Sequence, residues 1–336
     1  MQSNPHARRH MQAGIEKWPT KAPFHITGYT FTAFEAVVVT LHEDDLVGRG
    51  EGLGVYYRND TPTSMLAQIE ALRPHIEAGL TREELQRLLP AGGARNALDC
   101  ALWDLEAKRS GEPVWRLAGQ QAPHPLLTTF TVGADQPSVM ARDAVAYTHA
   151  RAIKLKLTGD ALDAERVRAV RGARPDVWLM VDANQGLTRE TFAELLPTLM
   201  EMRVDVVEQP FPVGNEGWLD GLERPIRIAA DESVQDRADL DKVVGRVDIV
   251  NIKLDKCGGL TEALALAAEA RRLGFDLMVG NMSGSSLAVA PSFLVGQLCE
   301  VVDLDGPTFL TTDRTPAAIY EDGKVWCPES VWGSPL

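Results

Sequence analysis

The sequence lacks the features that mark secreted, membrane-spanning and zinc-binding proteins. Its 336 residues include only four cysteines, Cys100, Cys257, Cys299 and Cys327. They form no CxxC pair and no histidine lies at zinc-ligand spacing, so reduced thiols are expected rather than disulfides or a zinc site. No stretch reaches about 18 uninterrupted apolar residues, and the first dozen residues, with His6 and Arg8, lack the apolar run of a signal peptide. We therefore predict a cytoplasmic protein with a frayed start.

Positive charge is also scarce. Lys and Arg number 34 against 47 Asp and Glu, which gives a formal net charge of −13. Nucleic acids and anionic membranes are bound by clustered basic side chains, so neither is an expected partner. The 45% hydrophobic and 24% charged fractions are those of an ordinary globular protein. The length suits one barrel-sized domain with an addition or two smaller domains, and we expect two unequal lobes.

The first third of the chain predicts a lobe with both strands and helices. Mostly β-branched and aromatic residues at 31–41, followed by alternate glycines at 48–54, are typical of a hairpin. Those glycines also suit a nucleotide-binding loop, but no GK[ST] follows them. Helical patterns cover 64–78 and 94–110, the second with a glycine stop signal after it. Between them, Thr81-Arg82-Glu83-Glu84 is a capping box that opens a short helix.

Beyond the prolines at 113, 123 and 125, short apolar strands alternate with amphipathic helices. Their period of roughly 25 residues accommodates one strand, one loop and one helix, and continuous apolar strands indicate a parallel sheet with a covered outer face. This favours a closed α/β barrel, although a doubly wound sheet gives a similar pattern. The eight predicted strand cores are 127–132, 152–157, 177–181, 204–207, 226–230, 249–252, 276–279 and 300–302.

Three successive predicted strands end in a carboxylate. Asp182, Glu208 and Asp231 lie within Val-Asp-Ala-Asn, Val-Glu-Gln-Pro and Ala-Asp-Glu-Ser. A parallel barrel gathers the carboxyl ends of its strands at one mouth, so the three side chains are expected to converge. Oxygen ligands without His or Cys favour Mg²⁺, which keeps positions open for water or a substrate carboxylate. Any one of the three alone could instead be a helix cap or a surface charge.

Three lysines are predicted at the same mouth. Lys154 and Lys156 lie two residues apart in an apolar strand, so both side chains enter the barrel, and Lys253 on the sixth strand lies across the mouth from them. A second ammonium and a divalent cation nearby should lower the pKa of a buried lysine until it can accept a proton. The alternative is a solvated lysine pair on a strand edge.

A metal flanked by two opposed lysines suits a particular reaction. A carboxylate bound to Mg²⁺ has a more acidic α-proton, because the metal stabilises the enediolate that remains. One lysine would remove this proton, and the other would return a proton to the opposite face. The stereocentre is then inverted.

These motifs together resemble the enolase superfamily, and specifically its muconate-lactonising subgroup. The residues that carry the resemblance are Lys154-Leu-Lys156, Val181-Asp182-Ala-Asn184, Glu208-Gln-Pro210, Asp231-Glu232-Ser233, Asn251-Ile-Lys253-Leu-Asp255-Lys256 and the helix at 95–105. The resemblance covers nearly the whole chain and implies an α/β fold, a modified TIM barrel (β/α)7β with an α+β capping domain. It divides the chain into a cap at 1–123, a barrel at 124–310 and a tail at 311–336 that returns to the cap. It also implies a homo-oligomer.

The resemblance assigns roles at the barrel mouth. The implied roles are Mg²⁺ ligand for Asp182, Glu208 and Asp231, opposed base for Lys156 and Lys253, and support for Lys154, Asn184 and Glu232. The mandelate-racemase and acid-sugar dehydratase patterns place a histidine where this chain has Lys253. Those two activities are therefore not expected.

Asp303 and Asp305 follow the last predicted strand, and they indicate which substrate the reaction uses. Alternation sends both carboxylates towards the mouth, where they could hold a substrate ammonium. This resembles the dipeptide epimerases, which makes a dipeptide the expected substrate, while a strand-ending Asp followed by a turn-favouring Asp-Gly is the structural alternative.

Other activities remain open at this point. An o-succinylbenzoate synthase or N-acylamino acid racemase shares the lysines and the metal but binds no free ammonium. A muconate-type cycloisomerase is disfavoured because two extra carboxylates would repel its dianionic substrate. A non-catalytic barrel would have no physical reason to retain two costly interior lysines.

Side-chain specificity is expected from the capping loops, as in the resembling family. Its epimerases for L-Ala-L-Glu-type substrates carry an arginine where Tyr29 aligns here, and a tyrosine cannot bind a carboxylate bidentately. An apolar or aromatic second residue is therefore expected, unless Arg58 or His25 supplies a cation. Met282 and Ser283, after the seventh strand, are expected to line the pocket.

Overall fold

The computed structural model describes residues 9–26 and 28–335. His6 and Arg8 lie outside the described residues. The strands are β1 (Arg9–Ile26), β2 (Tyr29–Glu43), β3 (Leu46–Leu53), β4 (Leu126–Leu127), β5 (Thr129–Val132), β6 (Ala152–Lys156), β7 (Trp178–Asp182), β8 (Val206–Glu208), β9 (Arg227–Ala230), β10 (Ile249–Ile252), β11 (Asp276–Val279), β12 (Val301–Val302), β13 (Ile319–Glu321) and β14 (Lys324–Trp326). The α-helices are α1 (Pro62–Ala71), α2 (Arg73–Glu77), α3 (Arg82–Leu88), α4 (Gly93–Ser110), α5 (Val114–Leu117), α6 (Pro137–Ala146), α7 (Asp163–Ala173), α8 (Arg189–Glu201), α9 (Leu240–Val243), α10 (Leu254–Cys257), α11 (Leu260–Arg272) and α12 (Ser286–Gly296). Short 3₁₀ helices cover Tyr56–Arg58, Glu216–Leu219, Arg237–Asp239 and Gly306–Phe309.

The first described element is a strand that begins at Arg9, and the predicted frayed start concerns residues before it, outside the described ranges. β1 begins at Arg9 and pairs with β2 in an antiparallel sheet of order β1-β2-β3. The buried guanidinium of Arg9 lies 3.1 Å from a carboxylate oxygen of Glu43 and donates to the carbonyl of Leu80 at 2.7 Å. Composition alone misses this strand, because the partners that bury it are distant in the sequence.

The helices of the cap follow the sequence signals with one exception. The predicted helix at 64–78 is two helices, α1 and α2, because Pro74 has no N–H to continue the first helix and the chain breaks at Leu72. The capping box is confirmed. The side chain of Thr81 accepts from the backbone N–H of Glu84, and the side chain of Glu84 accepts from the backbone N–H of Thr81. Helix α4 ends at Gly111, which adopts a left-handed φ of 73°.

The alternate glycines of β3 let helix α4 pack directly onto the sheet. A Cβ added at Gly50 would lie 2.1 Å from the carbonyl oxygen of Ala97 in α4. One added at Gly48 would lie 2.3 Å from the carbonyl oxygen of Ala101. These glycines serve helix-on-sheet packing, so the nucleotide-loop interpretation is not needed.

The change Gly50→Ala is expected to destabilise the protein strongly. The new methyl group would collide with helix backbone, which cannot move aside as a side chain can, so we expect a loss at the upper end of about 1–3 kcal/mol. Gly14→Ala in β1 is the matched control, because a Cβ there has nothing within 4 Å. Thermal denaturation followed by circular dichroism measures both variants, and equal midpoints would contradict this packing.

The rest of the chain builds the barrel. In the described part of the chain, an eight-stranded sheet runs in the order β5 to β12, and each pair of neighbouring strands is parallel. A doubly wound sheet would reverse its strand order partway, so the barrel interpretation is confirmed. The predicted first strand at 127–132 is shorter, because β4 leaves the barrel and pairs with β14 while β5 begins only at Thr129.

Side chains join the first and last barrel strands. The hydroxyl of Thr128 accepts from the backbone N–H of Leu304 at 3.0 Å. The carboxylate of Asp303 accepts from the hydroxyl of Thr129 at 2.5 Å, and that of Asp305 accepts from the backbone N–H of Thr131 at 2.6 Å. Between these two strands, the carboxylates of Asp303 and Asp305 accept hydrogen bonds of the kind that backbone carbonyls accept elsewhere in the sheet. We call this junction the barrel seam.

The last residues contact the cap. The indole N–H of Trp332 donates to the carbonyl of Arg49 at 2.9 Å, and the backbone N–H of Gly333 donates to Asp104 in α4 at the same distance. The division at 1–123, 124–310 and 311–336 stays a prediction. No described helix combines the length and the apolar composition that crossing a bilayer requires.

Candidate active site

A cavity of about 400 Å³ lies between the barrel mouth and the cap. Its floor includes the three lysines from the ends of β6 and β10, and its walls include Tyr56 and Tyr57 from the cap. A pocket of this size at the carboxyl ends of barrel strands is where ligands bind in such folds. The predicted residues of the mouth therefore face an accessible chamber.

The lysines enter the barrel as predicted. Lys156 Nζ lies 2.5 Å from Asp182 Oδ2 and 3.0 Å from Asn184 Oδ1. Lys253 Nζ lies 2.6 Å from Asp231 Oδ2. All three lysines are buried, which excludes the solvated pair on a strand edge. β6 and β10 are four strands apart in the eight-stranded sheet, so Lys156 and Lys253 approach the cavity from opposite sides.

The three predicted carboxylates are buried at neighbouring strand ends. Asp182 and Glu208 are register partners across β7 and β8, and Asp231 directly follows β9. Within residues 9–26 and 28–335, no three acidic, His or Cys side chains already have metal-binding spacing. Ammonium groups from the barrel lysines contact oxygens of Asp182 and Asp231.

The surroundings of Glu208 fit a hard cation. Its Oε2 atom is buried and accepts no hydrogen bond from any described residue, and the ammonium of Lys154 lies 3.8 Å away. Burial raises the pKa of Glu208 to about 7, and the charge of Asp182 acts in the same direction. A buried carboxylate oxygen without a donor, next to two further carboxylates, is the donor set that Mg²⁺ prefers. The residues present therefore fit the predicted ion.

The protein's own carboxylates act on two of the buried lysines against the effect of burial. Burial alone would lower the pKa of Lys253, but the carboxylates of Asp231 and Glu208 outweigh it and raise the pKa well above its usual value. Lys154 behaves alike: burial lowers its pKa, while Asp303 and Glu208 raise it overall. The predicted lowering of a lysine pKa depends on a cation bound at these carboxylates, and it stays a prediction.

Asp303 and Asp305 both line the cavity and are buried. Asp303 forms an ion pair with Lys154. Burial raises the pKa of Asp305 to about 7, and the charge of Asp303 adds to the effect. Their position inside the chamber goes beyond what a surface Asp-Gly turn requires.

Family models match both parts of the fold. The model described as "Mandelate racemase / muconate lactonizing enzyme, N-terminal domain" matches residues 10–119, and the model described as "Enolase C-terminal domain-like" matches residues 139–330. The chain belongs to the enolase superfamily. Its homologues are epimerases and racemases, so this superfamily member is an isomerase acting on amino acid derivatives.

Two curated relatives illustrate the range of reactions among similar superfamily members. The L-Ala-D/L-Glu epimerase of Escherichia coli K12 is 42% identical over 92% of this chain and 97% of the relative. The N-acetyl-D-glutamate racemase of a Pseudoalteromonas species is 37% identical over 88% of this chain and 95% of the relative.

Solved structures of superfamily members show the same fold. One is an enolase family member from Agrobacterium tumefaciens described with bound sodium and L-Ala-L-Glu; it has a TM-score of 0.94 and 41% identity, over 97% of this chain and all of that one. Another is the dipeptide epimerase of Methylococcus capsulatus complexed with Mg and L-Arg-D-Lys, with a TM-score of 0.88 and 31% identity, over 96% of this chain and 97% of that one.

The predicted pocket residues of this superfamily member divide into two groups. Met282 and Ser283 line the cavity. Tyr29 does not belong to the described lining: its ring is 43% exposed and lies 4.5 Å from that of Tyr56, which does line it. Arg58 and His25 also lie outside the described lining, bonded to Gln235 and Thr30 on the surface. Tyr29 packs against two lining residues, Tyr56 and Phe31, and its role as a substrate contact stays a prediction.

The supporting residues lie near the carboxylates. Asn184 donates from its side chain to Glu232 at 3.2 Å. Burial raises the pKa of Glu232 to about 8, and Asp231 is the next cause.

Sequence reasoning missed roles for Asn251 and Lys256. Asn251 donates to Glu208 at 2.6 Å, and Lys256 donates to Asp231 at 2.7 Å. The available signal was their spacing from Lys253, two residues before it and three after it.

Proposed function

We propose that the protein is a Mg²⁺-dependent dipeptide epimerase, which transfers a proton at the α-carbon beside the C-terminal carboxylate by way of an enediolate. The observation that carries the proposal is the pair of buried lysines, Lys156 and Lys253, on opposite sides of one cavity. Two bases facing one carbon from opposite sides are what a 1,1-proton transfer needs.

The proposed mechanism assigns one task to each group. Lys156 or Lys253, as the neutral amine, accepts the α-proton from its own face, and the other, as the ammonium, delivers a proton from the opposite face. Mg²⁺ held by Asp182, Glu208 and Asp231 would supply the positive charge that makes a proton beside a carboxylate more acidic. The cap covers the cavity and limits the access of water, which strengthens these electrostatic effects.

The substrate ammonium is assigned to Asp303 and Asp305. Both carboxylates are buried in the cavity wall, and buried carboxylates favour a charge-assisted partner. Asp303 already binds Lys154, whereas Asp305 accepts from Thr131 and forms no ion pair with any described residue, so Asp305 has the greater capacity to bind an ammonium. The second candidate function is racemisation of an N-acylamino acid, which would use the same lysines without an ammonium. A muconate-type cycloisomerase stays disfavoured, because the negative charges of Asp303 and Asp305 would repel its dianionic substrate.

Solvent deuterium should enter the α-position of a dipeptide in the presence of the protein and Mg²⁺. Removing Mg²⁺ with EDTA is expected to stop exchange, and adding Mg²⁺ back should restore it. Proton NMR in D₂O, with mass spectrometry across a dipeptide library, measures the incorporation. Absence of exchange with every dipeptide, alongside exchange into N-acetylamino acids, would move the assignment to the second candidate.

Aromatic and thioether groups form the wall of the cavity beside the cap. Phe24 and Phe309 have ring centroids 4.7 Å apart, and those of Phe31 and Phe34 are 5.5 Å apart. Met282 joins the same cluster, and all five side chains line the cavity. Such a wall stabilises an apolar side chain and leaves a carboxylate without a partner.

Cations for a substrate carboxylate are scarce in this part of the cavity. Among the described lining residues, the only basic side chain besides the three barrel lysines is Lys17, which is 65% exposed and lies 3.6 Å from Glu35. We therefore propose an apolar or aromatic side chain on the epimerised residue.

L-Ala-L-Phe is expected to be a better substrate than L-Ala-L-Glu, by at least about 10-fold in kcat/KM, because burying a phenyl group contributes about 1.5–3 kcal/mol. L-Ala-L-Gln separates the effect of charge from that of shape. Lys17→Ala should leave the ratio unchanged. Preference for L-Ala-L-Glu that disappears in Lys17→Ala would contradict the apolar assignment and identify Lys17 as the carboxylate ligand.

A further inference from the structure

The three carboxylates at the barrel mouth share a pattern of hydrogen bonding. In each of them, one oxygen accepts from a donor other than the lysines that line the cavity. Asp182 Oδ1 accepts from the backbone N–H of Asn184 at 2.9 Å, and Glu208 Oε1 accepts from the side-chain amide of Asn251 at 2.6 Å. Asp231 Oδ1 accepts from Lys256 at 2.7 Å.

The second oxygen of each carboxylate is held differently. Asp182 Oδ2 and Asp231 Oδ2 meet the cavity lysines Lys156 and Lys253. Glu208 Oε2 accepts no hydrogen bond from any residue in the described ranges. Each side chain therefore has one oxygen held by a donor that is not a cavity lysine, while its other oxygen either meets a cavity lysine or accepts no hydrogen bond from the described residues.

Lys256 is unusual because it is a fully buried lysine away from the cavity lining. Its side chain is 1% exposed. Besides Asp231 Oδ1, its ammonium contacts the carbonyl oxygens of Asp231, Val234 and Asn251 at 2.5, 2.8 and 3.0 Å. These contacts use all of its donors, so Lys256 cannot exchange protons with a ligand in the cavity while they persist.

Lys253 and Lys256 bracket one carboxylate from the two ends of helix α10. Lys253 binds Oδ2 of Asp231 and Lys256 binds Oδ1. The contact of Lys256 with Oδ1 would keep the carboxylate in its orientation even if Lys253 moved away from Oδ2. The lysine proposed as a base could then act without loss of the orientation of Asp231.

We propose that Asn251 and Lys256 are positioning residues that fix the orientation of Glu208 and Asp231, two of the three residues that would hold Mg²⁺. The proposal rests on the function proposed above. Partners of metal ligands commonly contribute 10- to 100-fold to metal affinity. Asn251 contributes through one hydrogen bond, which makes it the cleaner of the two to test.

Asn251→Leu keeps a similar shape and removes the donor to Glu208. The matched control is Asn96→Leu, because Asn96 is also buried and donates from Nδ2 to a buried carboxylate, Asp255, at 2.7 Å. Asn96 lies in α4 of the cap and contacts Asp255, which is none of the three carboxylates. Both variants lose a buried amide hydrogen bond to a carboxylate, and Asn96→Leu also loses contacts to Glu51 and Cys100, so a general loss of stability should affect the control at least as much.

Isothermal titration calorimetry with MgCl₂, without substrate, measures the affinity directly. Asn251→Leu is expected to weaken Mg²⁺ binding by about 10- to 100-fold, and Asn96→Leu should leave it unchanged. In a Glu208→Gln background, Asn251→Leu should have little further effect, because both changes act through one carboxylate. Lys256→Met should weaken binding by a similar factor; thermal denaturation without Mg²⁺ shows how much of each effect is lost stability.

The outcomes separate the two levels of the proposal. Wild-type protein that binds Mg²⁺, with Asn251→Leu and Asn96→Leu equal in affinity, overturns the positioning role and leaves the proposed function intact. A further loss in the Glu208→Gln background as large as in wild type also overturns it. Wild-type protein that binds no Mg²⁺ and catalyses no exchange overturns both.

Discussion

Replacing Lys156 with alanine is expected to lower the rate of epimerisation by about 10²- to 10⁴-fold, the usual contribution of a positioned general acid or base. The variant should also lose solvent-deuterium exchange with only one of the two epimers, because Lys253 still faces the other side of the α-carbon. Proton NMR in D₂O, started separately from the L,L and L,D dipeptides, measures the two exchange rates.

Lys253→Ala should give the reciprocal result, with exchange lost for the other epimer. Lys242→Ala is the control, since this exposed lysine pairs with Asp239 on the surface and lies outside the cavity lining. Equal losses for both epimers in each variant would contradict opposed bases. Unfolding must be checked by circular dichroism, because each truncation leaves a buried carboxylate oxygen without its donor.

Changing Asp305 to asparagine should reduce kcat/KM for a dipeptide with a free amino group by about 10- to 100-fold. A hydrogen bond to a charged group contributes about 1.5–3 kcal/mol, and the neutral amide forgoes the charge while keeping the volume. The amide oxygen can still accept from the backbone N–H of Thr131, so the barrel seam is preserved. Steady-state rates with saturating Mg²⁺ measure the change.

The N-acetyl derivative of the same dipeptide is the internal control, because it carries no ammonium. In the wild-type protein, kcat/KM for the N-acetyl derivative is expected to be lower than for the free dipeptide. The change Asp305→Asn should leave kcat/KM for the N-acetyl derivative unaltered. Asp303→Asn should reduce activity on both substrates, since it also deprives Lys154 of its counter-charge. Unchanged activity on the free dipeptide in a double Asp303→Asn, Asp305→Asn variant would remove the main support for an ammonium site.

The sequence predicted best the features that depend on strand period and strand ends. A parallel barrel brings the ends of all its strands together, so the position of Asp182, Glu208 and Lys253 at strand ends is enough to place them at one mouth. The alternation of Lys154 and Lys156 likewise predicts that both side chains enter the interior, and the structure confirms it.

The sequence predicted least well the features that arise from contacts between distant segments. β1 has no strong pattern of its own and forms because Arg9 and its neighbours pair with β2. Tyr29 aligned with a substrate-binding position, but the described lining includes Tyr56, whose ring lies 4.5 Å from that of Tyr29, and does not include Tyr29. The donors to Glu208 and Asp231 were hidden for the same reason, since Asn251 and Lys256 meet those carboxylates only after neighbouring strands assemble.

The seam between β5 and β12 ties substrate recognition to the architecture. The two carboxylates proposed to grip the amino end of the substrate also bind Thr129 and Thr131, and thereby join the two ends of the sheet. Evolution of a new preference at that end of the substrate is then constrained: a replacement at 303 or 305 that offers no acceptor would open the barrel as well as alter the ligand. Divergence to other substrates is easier in the cap, whose aromatic wall can be exchanged without touching this joint.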